Sequence, residues 1–286
     1  MHAGEALAAA MTRPLSLAAL TVLELSPPDM VACAAEAGYS HVGLRLLPAT
    51  DNEPTWPAVG DTPMVRELER RLADTGVRTL DIEIFRLKPD TDVRSYMPAL
   101  ETGARLGAKH VLVAGNDPAE ARLTERFAAL CDLGAPLGLT FDLEPMPWTD
   151  VKNLQQGARI AAAARKPNAG VLIDPIHFDR GGNVPADIGG VGQERLHYAQ
   201  LCDAPAERPR DTEALLHQAR AERLMPGDGG LNLLGILRAL PPDLPLALEV
   251  PMLTLAKTVP AVERAKRIRA KTEVLLAKLA EKRLKT

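Results

Sequence analysis

Residues 139–145 read LTFDLEP, residues 150–164 read DVKNLQQGARIAAAA, and residues 170–177 read GVLIDPIH. The first and last of these stretches are short and apolar, which is typical of buried strands, whereas the middle one has the length and spacing of a helix. A strand, a helix and a second strand in this order predict parallel pairing through a right-handed crossover. This segment therefore indicates an α/β fold built on a parallel sheet.

The same alternation runs through the rest of the chain. Predicted strands cover Ser16–Leu25, His41–Leu47, Arg78–Leu87, His110–Gly115, Leu137–Pro145, Gly170–Phe178, Leu196–Asp203 and Leu246–Pro251. Predicted helices cover Asp29–Ala37, Pro63–Thr75, Arg94–Leu106, Pro118–Leu133, Asp150–Ala164, Thr212–Arg223, Leu231–Leu240 and a C-terminal Val259–Leu284. Asp, Thr or Asn near a Pro predicts the helix starts at 27–29, 61–63 and 116–118, and Gly38, Gly76 and Gly107 predict helix ends.

Eight such units in about 250 residues predict a single (β/α)8 TIM barrel. We expect this barrel, with its parallel strands and C-terminal helix, to occupy residues 14–286, after a disordered extension over residues 1–13. The alternative is a doubly wound open sheet, which usually carries a glycine-rich phosphate loop after its first strand. Residues 23–28 read LELSPP, without a glycine, and this favours the barrel.

Composition narrows the class of protein. The 286 residues carry a net charge of −3 and only 3% aromatic residues, which disfavours a nucleic-acid partner because neither a basic footprint nor stacking platforms are expected. No apolar run approaches the ~18 residues of a membrane span. Three distant cysteines, Cys33, Cys131 and Cys202, indicate a reducing compartment without a disulfide framework, so we expect a cytoplasmic protein.

Four consecutive predicted strands finish with a side chain that offers an oxygen atom. These residues are Glu144, Asp174, Gln200 and Glu249. In a (β/α)8 barrel the carboxyl ends of the strands form the catalytic face. Three carboxylates gathered there repel one another unless a positive charge lies among them, and a divalent cation is the simplest solution. Oxygen ligands favour Mn²⁺ or Mg²⁺, with Co²⁺ or Zn²⁺ as alternatives.

The sequence resembles the sugar phosphate isomerase/epimerase superfamily of xylose isomerase-like TIM barrels, from about Pro14 to Lys278. The resemblance is most specific at 141–148 (FDLEPMPW), 170–182 (GVLIDPIHFDRGG), 198–205 (YAQLCDAP) and 246–251 (LALEVP). It implies one divalent metal on Glu144, Asp174, Gln200 and Glu249, and it makes His177 a substrate contact. The superfamily more often has His where this chain has Gln200, and the Gln resembles hydroxypyruvate isomerases.

The resemblance also implies a reaction. Glu144 and Glu249 would act as an acid/base pair that moves the proton next to a carbonyl through an enediolate, with His177 positioning the substrate oxygen. Reprotonation gives an isomerase or epimerase. Loss of a β-hydroxyl gives a lyase resembling 3-dehydroshikimate or inosose dehydratases, and this alternative stays open, as does a non-catalytic barrel. The endonuclease IV branch is disfavoured, because His41 and His110 lie at strand starts.

Other residues near the predicted mouth are candidates for substrate binding: Arg45, Glu83, Asn116 and Arg180. Two long segments after strands, Pro48–Asp61 and Asp179–Gly192, are candidate walls or lids of the pocket. Residues 227–230 (GDGG) are either an anion-binding loop or a plain loop. The expected partner is a small polyhydroxy carbonyl compound or acid, and the sequence leaves a homo-oligomer open.

Overall fold

Eight parallel strands form the predicted barrel. The computed structural model describes residues 13–50 and 52–283. The strands are β1 Leu15–Leu17, β2 His41–Arg45, β3 Arg78–Leu87, β4 His110–Gly115, β5 Thr140–Glu144, β6 Ala169–Val171, β7 Ala199–Leu201 and β8 Leu246–Leu248. They pair in the order β6-β5-β4-β3-β2-β1-β8-β7. A parallel bridge between Ile173 and Ala199 joins β6 to β7 and closes the barrel.

Helices cover the outside of the barrel. They are α1 Pro27–Glu36, α2 Pro63–Thr75, α3 Met97–Arg105, α4 Glu120–Gly134, α5 Leu154–Ala163, α6 Pro175–Arg180, α7 Thr212–Arg220, α8 Leu233–Ala239, α9 Leu253–Ala256 and α10 Ala261–Arg283. The C-terminal helix α10 buries its apolar residues Ala265, Ile268 and Leu279. The hydroxyl of Tyr39 donates to the carbonyl of Ala265, which ties α10 to the segment between α1 and β2.

Several helix boundaries follow the predicted capping pattern. Thr62 accepts a hydrogen bond from the N–H of Val65 at 3.2 Å, with Pro63 at the first helical position. Gly76 ends α2 in the left-handed conformation at φ +71°. The helix predicted from Pro118 begins two residues later, because Asp117 first turns the chain by accepting from the N–H of Ala119.

Two strand predictions are wrong at their carboxyl ends. The apolar run after Leu17 forms a 3-10 helix at Ala19–Val22, and the run after Val171 turns at Asp174 into α6. The Thr21 hydroxyl donates to the Leu248 carbonyl and accepts from the Val250 N–H. Both runs are apolar because they are buried over the strand ends, and hydrophobicity alone cannot distinguish a buried turn from a buried strand.

The base of the barrel begins at Arg13, one residue before the predicted domain boundary. Arg13 is buried, and its guanidinium donates to the carbonyls of Pro241 and Pro242. The rest of the predicted N-terminal extension, residues 1–12, lies outside the described residues. All three cysteines are buried and free. Within the described ranges, no helix has both the length and the apolar character needed to cross a membrane.

Candidate active site at the carboxyl ends of the strands

A cavity of about 600 Å³ opens at the carboxyl ends of the strands. Its walls come from β3 and β4 and from the segments that follow β1, β2, β5, β6, β7 and β8, as expected for the catalytic face of this fold. The loop over residues 48–61 contributes Thr50, Asn52 and Glu53, which confirms its prediction as a wall. The other predicted wall, residues 179–192, contributes no lining residue.

The floor of the cavity includes Glu144 and His177, and together with the buried Asp174 beside them they form an acidic centre. One possible ligand atom from each of the three lies within 4.8 Å of the others. The Nε2 atom of His177 is 3.6 Å from Oε1 of Glu144 and 3.9 Å from Oδ2 of Asp174. Asp174 caps α6 by accepting from the N–H of Ile176 through Oδ1, which leaves Oδ2 facing the centre.

Arg223 also lies in this centre, and sequence reasoning missed it. Its Nη1 atom is 2.6 Å from Oδ2 of Asp174, and its Nη2 atom is 2.9 Å from Oε2 of Glu249. The Nε atom donates to the carbonyl of Ala219 at 2.7 Å. The sequence places Arg223 at the end of a predicted helix, but α7 ends at Arg220. The sequence offered one electrostatic signal for such a residue. Buried carboxylates require a positively charged partner, and an arginine can supply that charge.

Glu249 and Gln200 form a hydrogen-bonded pair beside the acidic centre. The Nε2 atom of Gln200 donates to Oε1 of Glu249 at 2.9 Å. Among the described residues, Oε1 of Gln200 and Oε1 of Glu144 are buried without a hydrogen-bond partner. Buried polar atoms without partners are uncommon in folded proteins, and a positively charged ligand would satisfy an oxygen of this kind.

The four ionisable groups have very different proton affinities. Burial raises the pKa of Glu144 well above its usual value, and the charges of Glu249 and Asp174 raise it further. Burial also raises the pKa of Glu249, to about 7, although Arg223 opposes this effect. Burial acts to raise the pKa of Asp174 too, but Arg223 and His177 outweigh it, so that pKa is lowered. Burial lowers the pKa of His177 to about 4.

This division of charge has a chemical consequence. Burial favours the neutral forms of Glu144, Glu249 and His177, whereas the ion pair with Arg223 favours the ionised form of Asp174. Groups whose pKa values are pushed apart by their surroundings can serve as acid and base at one pH. The buried oxygen atoms and the neutral His177 also fit a hard divalent cation, which prefers oxygen ligands and accepts imidazole.

The four predicted substrate-binding residues lie in different places. Arg45 lines the cavity and pairs with Glu53 and Glu83, both at 3.0 Å, so Glu83 is a buried partner of Arg45. Asn116 lies at the outer entrance. Arg180 is buried outside the cavity lining, where it donates to the carbonyl of Pro205 at 2.6 Å. The structure therefore brings Arg45 to the cavity and does not bring Arg180 there.

The glycine-rich segment at 227–230 already binds an anionic group of the protein. One carboxylate oxygen of Asp203 accepts from the N–H groups of Gly227 at 3.0 Å and Gly229 at 2.9 Å. The other accepts from Ala204 and Leu231. Since these N–H groups are engaged, the segment is a loop held by Asp203.

Comparisons with known proteins agree with this architecture. A 3-dehydroshikimate dehydratase from Pseudomonas aeruginosa is 27% identical over 185 residues, which cover 60% of this chain and 28% of that protein. The chain therefore spans less than a third of that relative's length. The solved structure of the IolI protein with a bound zinc atom has a TM-score of 0.75 at 19% identity and covers 92% of this chain and 98% of its own.

A D-allulose 3-epimerase from Methylomonas sp., solved in complex with D-allulose, has a TM-score of 0.66 at 17% identity. The match covers 93% of this chain and 97% of the epimerase. At these identities the two solved structures show a shared fold. The profile of the xylose isomerase-like TIM barrel family matches residues 31–275, which is most of the chain. This chain is therefore a member of the xylose isomerase-like TIM barrel family.

Proposed function

We propose that this chain is a divalent-metal-dependent isomerase or epimerase that moves the proton next to a carbonyl group of a small polyhydroxy substrate. The observation that carries the proposal is the pair Glu144 and Glu249. Both are buried, and both line the same cavity. An acid and a base on one cavity are the minimum that a proton shift across an enediolate requires.

Each of these residues has a separate role in the proposed reaction. Glu249, which lines the cavity, takes the proton from the carbon next to the carbonyl, and the electron pair moves to the carbonyl oxygen. Glu144, on the same cavity, passes a proton from solvent to the former carbonyl carbon in an isomerisation, or to the opposite face of the same carbon in an epimerisation. Gln200 orients Glu249 through the hydrogen bond at 2.9 Å. Neutral His177 positions a substrate oxygen.

A divalent cation would be held by Glu144, Asp174, Gln200 and Glu249, with His177 beside them, and it would supply polarisation of the substrate carbonyl. The oxygen donors favour Mn²⁺ or Mg²⁺. The solved structure of IolI, a protein of the same fold, contains a bound zinc atom, and this supports a metal in the present chain.

The alternative is a dehydratase of the same superfamily. It is supported by the 3-dehydroshikimate dehydratase that is 27% identical to this chain. Both reactions begin with removal of the same proton. In the dehydratase the electron pair then expels a β-hydroxyl group, which leaves as water after taking a proton from the acid.

Exchange of solvent deuterium tests the proposal, with D-allulose and 3-dehydroshikimate as probes in the presence of Mn²⁺. We expect the wild type to label one probe or convert it, and Glu249→Gln to reduce the rate by about 10²–10⁴-fold while it stays folded. Glu213→Gln, on the exposed side of α7, is the control. Recovered labelled ketose indicates the isomerase, and loss of water indicates the dehydratase.

Elemental analysis provides an independent test. We expect about one Mn or Mg per wild-type chain and a strong loss in Glu144→Ala, because that change removes a ligand from the acidic centre. Full activity of Glu249→Gln, or an absence of metal uptake by the wild type, would refute the proposed chemistry and leave a non-catalytic barrel.

A further inference from the structure

Two arginine side chains line the cavity without an acidic partner. Arg86 lies near the end of β3, and Arg220 is the last residue of α7. Arg45 and Arg223, in the same cavity, each hold two carboxylates within 3.0 Å. Within the part of the chain that the structure describes, no carboxylate lies within 4.0 Å of the guanidinium of Arg86 or Arg220.

Neutral groups hold both side chains in place. Arg86 donates from Nε to the carbonyl of Ala49 at 3.2 Å and from Nη1 to Oδ1 of Asn116 at 3.0 Å. The guanidinium of Arg220 lies over the ring of Trp148, with its carbon 5.7 Å from the ring centroid. These contacts fix the direction of each guanidinium, and among the described residues neither guanidinium forms an ion pair. No hydrogen bond from Nη2 of Arg86 reaches another described residue.

The positive charge of Arg220 acts on Arg86. Burial lowers the pKa of the Arg86 guanidinium and the charge of Arg220 lowers it further, although Glu144 opposes this effect. Burial also lowers the pKa of Arg220, against the opposing charge of Glu53. Two cations placed together in a partly desolvated pocket destabilise each other, and an anion between them removes that cost.

Charge is therefore divided along the cavity. The acidic centre is at the floor, and the two arginines lie between it and the outer entrance, which they share with Lys88, Asp90 and Asp150. Strand pairing fixes one side of this arrangement. Arg86 pairs with Ala114, and Ala114 pairs with Glu144, so Arg86 and Glu144 lie at the same level two strands apart.

We propose that Arg86 and Arg220 form an anion-binding subsite that holds a carboxylate or phosphate group of the substrate. A substrate bound in this way presents its carbonyl end to the acidic centre. The assignment of that end as the one that reacts rests on the proposed function. Arginine suits the role because its planar donors match the oxygens of both anions. The preferred substrate is then an acidic hydroxy-ketone or a phosphorylated sugar, and a neutral ketose is disfavoured.

Calorimetric titration of the metal-loaded protein tests the subsite with two pairs of probes. The carboxylate pair is 3-dehydroshikimate and its methyl ester, and the phosphate pair is D-fructose 6-phosphate and D-fructose. We expect the wild type to bind the charged member of one pair at least about tenfold more tightly than its neutral partner, as expected for charge-assisted hydrogen bonds. The pair that shows this preference identifies the anion.

Arg86→Gln and Arg220→Gln should each weaken binding of the charged probe by about tenfold and leave binding of the neutral partner unchanged. Arg238→Gln, an exposed arginine on α8, is the matched control and should have no effect. Arg220 is exposed, so its replacement keeps the test valid even if Arg86→Gln does not fold.

Three results would each overturn the subsite. The wild type could bind the charged and the neutral member of both pairs with equal affinity, or bind neither charged probe measurably. Alternatively, both variants could keep the wild-type preference for the charged probe. Failure of the proposed function gives a different result. In that case the charged probe still binds with its preference, but no deuterium exchange or conversion follows.

Discussion

Removal of the Arg223 charge is the most direct test of the buried ion pairs in the acidic centre. Arg223→Met keeps most of the side-chain volume but removes the two ion pairs to Asp174 and Glu249. All three side chains are almost completely buried, with side-chain exposures of 1%, 0% and 5%. The substitution therefore leaves two buried carboxylates without the arginine that pairs with both of them.

The expected magnitude follows from that burial. Breaking a buried pair by removing one partner costs about 3–5 kcal/mol. The whole free energy of unfolding of a domain is about 5–15 kcal/mol, so the loss takes away a large share of it. Urea unfolding followed by circular dichroism, with EDTA present, measures the change. Arg238→Met is the control, and we expect it to stay within about 0.5 kcal/mol of the wild type.

A double-mutant cycle makes the test specific to the ion pair. Glu249→Gln added to Arg223→Met removes one unpaired carboxylate, so the double variant should be more stable than the two separate losses predict. Saturating Mn²⁺ should stabilise Arg223→Met more than the wild type, because a cation in the acidic centre replaces the missing charge. A loss under about 1 kcal/mol, or strict additivity in the cycle, would refute the role assigned to Arg223.

Two further predictions concern parts of the barrel outside the acidic centre. Burial lowers the pKa of His110 to about 4, below the ~6.5 of the unfolded chain, so the stability from keeping it neutral is complete above pH ~6.5 and is lost as the pH falls toward 4. His110→Asn should therefore lose less free energy of unfolding between pH 7 and pH 4 than the wild type; an unchanged pH dependence in urea titrations would contradict this. Asp203→Ala removes the acceptor of four backbone N–H groups and should cost more than about 2 kcal/mol in thermal or urea unfolding, against little change in the exposed control Asp243→Ala. Equal stability of the two aspartate variants would show that the loop at 227–230 does not depend on Asp203.

Local sequence patterns were sufficient to predict the order of strands and helices in this protein. The order and number of strands follow from the alternation of short apolar runs with helical stretches, and the caps at Thr62 and Gly76 follow from residues within four positions of each helix end. The acidic centre was partly predictable for the same reason. Because parallel strands bring their carboxyl ends to one face, Glu144 and Asp174 had to approach each other.

The ends of the strands were less predictable. Leu23 and Leu25 extend an apolar run, yet they follow a 3-10 helix, and Ile176 and His177 lie in α6. Their hydrophobicity reports burial, and burial is common to turns and strands at a covered barrel end. The sequence therefore predicts the existence of a strand more reliably than the residue at which the strand ends.

The sequence by itself determined the barrel, the C-terminal helix α10 and the strand ends that carry oxygen ligands. Each of these depends on the spacing of residues within one helix or strand, or on the fixed geometry of parallel strand pairing. Only the tertiary structure decided which charges meet. Arg223 is 49 positions from Asp174 and 26 from Glu249, and Arg180 points to the carbonyls of the 205–207 segment. Arg86 and Arg220 line one cavity, and among the described residues neither forms an ion pair. Contacts of this kind depend on how long loops pack across the barrel mouth, and no local period in the sequence encodes that packing.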